Sequence, residues 1–113
     1  EEAFHLLRGL VDRLECRIAS PTGYLGSLGD GHLDGLHLGT AAEGLSPEQA
    51  HRLLLYAGRS LKPDGRLLAW RFDADPIALP EGCEALEDEA AALLAEERTG
   101  LYGRALLLRS HRV

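Results

Sequence analysis

The chain has 113 residues, enough for one domain around one hydrophobic core and too few for two independently stable lobes. Hydrophobic residues make up 45% and charged residues 27%, a balance that excludes a disordered or fibrous chain, while an aromatic share of only 5% points to a leucine-rich aliphatic core and to helices rather than an all-β sandwich. A net charge of −6 without any cluster of Lys and Arg argues against a nucleic-acid partner, and the acidic stretch from Glu81 to Glu97 would repel a polyanion or an anionic membrane surface.

Residues 2–13 carry Ala3, Phe4, Leu6, Leu7, Leu10 and Val11 at helical spacing, continued by Leu14, with Arg8, Asp12 and Arg13 on the other side, and predict an amphipathic helix. Residues 14–19 alternate apolar and polar, predicting a short strand that Ser20-Pro21-Thr22-Gly23 ends as a turn. Gly29-Asp30-Gly31 is a second break. Residues 33–38 then place apolar side chains on both faces, as an interior parallel strand does. The strongest local signal is Ser46-Pro47-Glu48-Gln49: a serine cap, a proline at the first helical position and Gln49 three residues after the cap. The helix it opens runs through Ala50, Leu53, Leu54, Ala57 and Leu61 and stops before the turn Lys62-Pro63-Asp64-Gly65. Residues 66–72 follow as a strand, 74–82 as a proline-containing connection, 83–98 as a helix rich in alanine and glutamate, and 103–110 as a final strand. The order predicts an α/β sheet with crossover helices, in one domain over residues 1–113.

Two cysteines, Cys16 and Cys83, lie far apart without metal-ligand spacing, which fits a reducing, cytoplasmic setting. No apolar run is long enough to span a bilayer and the start has no signal-peptide pattern, although a chain beginning at Glu1 rather than Met leaves its amino terminus open to trimming.

Three blocks between residues 28 and 72 stand in a familiar order: Leu28-Gly-Asp-Gly-His-Leu-Asp-Gly-Leu36, Glu43-Gly-Leu-Ser-Pro-Glu48 and Leu61-Lys-Pro-Asp-Gly-Arg-Leu-Leu68. Together they resemble the carboxyl-terminal half of class I S-adenosylmethionine-dependent methyltransferases: a turn and strand, a capped helix, and a tight turn into the next strand. The resemblance implies a truncated Rossmann-like, methyltransferase-like sheet with flanking helices. It also implies a binding edge at the carboxyl ends of the parallel strands, where loops open a crevice at the switch point. On this chain that edge includes Gly39, Thr40 and Ala41, which the resemblance places beside the adenosyl or substrate pocket, with glycine letting backbone approach a ligand. A plain small-residue turn between strand and helix is the other reading of the same three residues.

The departures from the family are informative. The family's Gly-x-Gly-x-Gly-type loop and the acidic strand end that binds the ribose hydroxyls have no counterpart. Gly23, Gly26 and Gly29 follow Pro21 and are expected to precede no helix, so they lack the context of a cofactor loop. Glu43-Gly44 stands where many relatives have Glu-His, and Asp64 replaces the usual glycine of the turn.

Other constellations are weaker. Asp30-Gly-His-Leu-Asp34-Gly resembles part of a calcium loop, but the twelfth position is Ala41, which excludes it. His32 and His37 are not brought together by helix or strand geometry, and His5, His51 and His111 are isolated, so no metal site is expected. Ser20, Cys16 and Cys83 have no recognisable base and orienting acid and read as structural. Trp70-Arg71-Phe72-Asp73 reads as packing at a strand end, and Asp73 or Asp75 would act as acid or base only with a substrate docked beside them.

Three functions of different class follow. The chain is a non-catalytic interaction or assembly module, holding no cofactor, whose open sheet edge and apolar face are covered by a homodimer mate or another protein partner. Alternatively it is an S-adenosylmethionine-dependent methyltransferase whose cofactor site is completed by a partner or a missing segment, since transfer needs donor and acceptor held in line. A third reading is a redox-linked or iron-sulfur assembly partner, for which two cysteines supply no cluster of their own.

Overall fold

The computed structural model describes residues 2–72, 78–97 and 100–111. In chain order the elements are α1 (Glu2–Leu10) with a 3-10 turn (Val11–Arg13), α2 (Pro21–Leu28), β1 (Leu33–Gly39), α3 (Pro47–Ser60), β2 (Leu61–Arg71), β3 (Cys83–Ala85), α4 (Glu87–Glu96) and β4 (Arg104–Ser110). The strands form a mixed open sheet in the order β1-β2-β4-β3, with β1 and β2 parallel and β4 antiparallel to both of its neighbours. The fold is therefore α/β. The β1-α3-β2 crossover makes the adjacent parallel pair.

The cap at Ser46 forms as its residues dictate. Ser46 Oγ accepts a hydrogen bond from the Gln49 N–H at 3.2 Å, and Gln49 Oε1 accepts one from the Ser46 N–H at 3.1 Å, so both backbone donors at the helix start are satisfied. Ser46→Ala removes the first of these bonds and is expected to cost about 1 kcal/mol of unfolding free energy in urea titration, while Ser46→Asp costs only a few tenths.

Side chains alternate along β2 and β4 and so build two cores. Leu67 and Ala69, with Leu106 and Leu108, face α2 and α3, where Leu25, Leu53, Leu54 and Ala57 meet them; Leu54, Leu67 and Leu108 are 0% exposed. Ala105 and Leu107 face the other way with Leu68 and Trp70 and are covered by α4 through Ala90 and Leu94. Helices thus flank both faces.

Four expectations are corrected. Residues 14–20 have no regular secondary structure, so the strand over 14–19 is absent. Ser20-Pro21 is not a turn but the start of α2: Ser20 Oγ accepts from the Gly23 N–H at 3.1 Å and Pro21 takes the first helical position, the same grammar as Ser46-Pro47. Gly23 and Gly26 therefore lie inside a helix. Gly26 faces the Tyr56 ring of α3, where a Cβ would make ordinary contact at 3.5 Å. Strand β1 is at the sheet margin rather than in the interior; Leu33, Leu36 and Leu38 pack on the first core, whereas Gly35 and His37 are exposed. Finally, the helix expected over 83–98 begins only at Glu87, because Cys83 and Ala85 pair with Ser110 and Leu108 as β3. Arg98 lies outside the described residues.

The turn at residues 62–65 bulges out of β2. Leu33 pairs with Leu61 and Gly35 with Arg66, so the intervening residues of β2 loop away from the ladder. Asp64 adopts φ 66°, in the left-handed region that aspartate tolerates better than most residues. Gly65 is needed for space: a Cβ would lie 2.8 Å from the Lys62 carbonyl oxygen and 3.1 Å from that of Leu33.

Candidate functional site

A parallel β-α-β unit opens its loops at the carboxyl ends of its strands, and there β1 and β2 frame a cleft of about 330 Å³. That volume is at the lower end of small-molecule sites, which span roughly 300–1,000 Å³. The cleft is lined by Ala42, Glu43, Leu45 and Arg71, by His51 from the first turns of α3, and by Ala78.

The path of the backbone from β1 to α3 explains the cleft. Gly39 has φ 57°, turning the chain where a side chain would be strained, and its N–H donates to Nδ1 of His37 at 3.1 Å. Two tight turns follow, with the Ala41 N–H donating to the Leu38 carbonyl at 3.1 Å and the Glu43 N–H to the Thr40 carbonyl at 2.9 Å. Ala41 and Ala42 pack toward the first core. These turns deliver Glu43 to the end of β2, where its Oε1 accepts from the Phe72 N–H at 3.1 Å and stands 3.4 Å from Nε of Arg71. Only 21% of the Glu43 side chain and 16% of the Arg71 side chain is accessible, so this ion pair is shielded from solvent far more than a surface pair. Glu43 clips the two strand ends together.

Chemically, the cleft offers a guanidinium already engaged by a carboxylate, an imidazole, and apolar walls, a set suited to holding a small polar molecule by shape and hydrogen bonds. Gly39, Thr40 and Ala41 form the turn that leads into the cleft and are not among its lining residues. Glu43, His51 and Arg71 line it instead. Arg71 lies far in sequence from Glu43 and His51; Glu43 belongs to the second of the three blocks, while the sequence signal for His51 and Arg71 is only their place in the opening of the capped helix and at a strand end.

The remaining candidates have separate places. Trp70 stacks on Tyr102 with centroids 5.1 Å apart and Phe72 stacks on the same ring at 5.6 Å, so the strand end is an aromatic packing cluster beside the second core. Ser20 caps α2. Cys16 is exposed and Cys83 buried, with no disulfide joining them. Asp73 and Asp75 lie outside the described residues. Among the described residues no group of His, Cys, Asp or Glu converges in a way that could hold a metal ion, and no helix is long and apolar enough to cross a membrane. Compared with family models, with curated proteins and with solved structures, the chain matches none.

Proposed function

We propose that this chain is a truncated, Rossmann-like methyltransferase-like domain that works as a non-catalytic interaction or assembly module in the cytoplasm, with a second copy or another protein as its partner. The observation that carries this reading is the position of β1 at the margin of the sheet. Among the described residues no strand pairs with the outer edge of β1, and this edge, with exposed Gly35 and His37 on one face, presents backbone donors and acceptors that a partner can satisfy. The parallel β1-α3-β2 unit spans the three sequence blocks that carry the family resemblance, which supports the methyltransferase-like part of the reading. Glu43 supports the non-catalytic part: its carboxylate is committed to the Phe72 N–H and to Arg71, and so holds the fold.

A second reading is favoured by the cleft itself. If a partner supplies the missing cofactor loop, the volume beside Glu43, His51 and Arg71 would sit at the binding edge of an S-adenosylmethionine-dependent methyltransferase. Titration calorimetry of the purified chain with S-adenosylmethionine and S-adenosylhomocysteine separates the two. The module reading expects no heat of binding for either compound from a protein that self-associates. Micromolar binding would favour the enzyme, and in that case His51→Ala, at the wall of the cleft, is expected to weaken it.

A further inference from the structure

Every described residue from Glu2 to Ser20 is exposed, and none of α1 is buried. The segment is nevertheless rich in large apolar side chains: Phe4 is 60% exposed, Leu7 66%, Val11 57%, Leu14 75% and Ile18 108%. Their sequence positions step by three and four in alternation, the spacing of an apolar seam that faces a second helix of the same repeat. The helix stops at Leu10 and its 3-10 turn at Arg13, so the seam outruns the helical structure of the isolated chain. Short helices are marginal without tertiary packing, and a partner would supply it.

We propose that residues 2–18 form an antiparallel helical pair with the same segment of a second copy, extending the helix through Ile18. This rests on the module reading and names its interaction surface. Charge selects the partner. Glu2, Asp12 and Glu15 balance Arg8, Arg13 and Arg17, so the arm is neutral within a chain of net charge −6. A strongly acidic or basic partner has nothing to choose there, and an anionic membrane surface favours an excess of Lys and Arg on the polar face. A second copy fits, because an antiparallel pair along this seam puts Arg8 of each copy beside Glu15 of the other. In the isolated chain Glu15 accepts hydrogen bonds from Arg17 of the same arm, which also hold the Arg17 guanidinium pKa above its ordinary value; that solvent-exposed contact is weak and easily exchanged.

Area is sufficient. At roughly 60–120 Å² of apolar surface for each large side chain, as burial energies imply, the five seam side chains and the flanking Leu10 give about 700–1,400 Å² across a symmetric pair. That reaches the roughly 1,200–2,000 Å² of stable interfaces.

The test is sedimentation velocity and far-ultraviolet circular dichroism of the full chain over a range of concentrations. The wild type is expected at twice the 12.3 kDa of one chain, with helical signal rising as it associates. Leu7→Asp with Leu14→Asp should weaken association at least about tenfold. Both positions are exposed, so the sheet and its cores are left intact. Arg8→Glu should weaken association and Arg8→Glu with Glu15→Arg should restore it. A dimer that persists in the Leu7→Asp, Leu14→Asp variant overturns the arm and leaves the module reading standing on the β1 edge. A wild type that stays monomeric overturns the arm, and if it also binds S-adenosylmethionine the module reading falls as well. A monomer that cosediments with phosphatidylserine vesicles assigns the seam to membranes and overturns the second copy.

Discussion

Leu54→Ala is expected to lower the unfolding free energy by about 3 kcal/mol. Leu54 is 0% exposed and lies in the first core, between α3 and the sheet. Deleting its branched end removes dispersion contacts on every side and leaves a void that rigid strands cannot fill, so transfer and cavity terms add. A domain of this size holds only about 5–15 kcal/mol of stability in total, and the loss should appear as a fall in midpoint temperature on the order of 10 °C. The control is Leu7→Ala. Leu7 is 66% exposed in the monomer, and truncating it should change unfolding by no more than about 0.5 kcal/mol under conditions where the chain does not associate. Equal losses at the two positions would mean that the arm packs on the body after all.

Gly65→Ala is expected to cost about 2 kcal/mol, although it adds a single methyl group, because Gly65 is the buried residue of the turn at 62–65. The reason is local. The added Cβ would sit 2.8 Å from the Lys62 carbonyl oxygen and 3.2 Å from that of Asp34, and these are backbone atoms that cannot swing aside. Relief requires the bulge at residues 62–65 to move, which disturbs the parallel register at Gly35↔Arg66. The adjacent Asp64→Gly should leave stability within about 0.5 kcal/mol or raise it, because φ 66° costs glycine nothing. Urea titration of both variants checks the pair; a neutral Gly65→Ala would show that the bulge is soft and does not set the register.

How far the sequence speaks for itself can be seen at two serine-proline pairs. Ser46-Pro47 is legible because an amphipathic run follows it, so cap and periodicity agree. Ser20-Pro21 carries the same cap chemistry, but Gly23 and Gly26 lower helix propensity and no clear stripe follows. The cap starts a helix there because Leu25 is buried against the first core, a tertiary contribution that the local sequence does not show. Strand identity at 66–72 and 103–110 is written in apolar runs, yet direction is not: nothing in Arg104–Ser110 tells that it lies antiparallel between β2 and β3. Both-sided leucines at 33–38 read as an interior strand, whereas one face of β1 is open, because alternation measures apolar content and not the presence of a neighbour. The cleft was less legible still. Glu43 and Arg71 meet through the register that places Gly39 opposite Ala69, and no spacing along the chain encodes that meeting.

The measurement closest to the central claim is the mass of the purified chain in solution by light scattering at micromolar concentration. An interaction module that pairs with its own copy is expected at twice the 12.3 kDa of one chain. A monodisperse 12.3 kDa species at every concentration would contradict it.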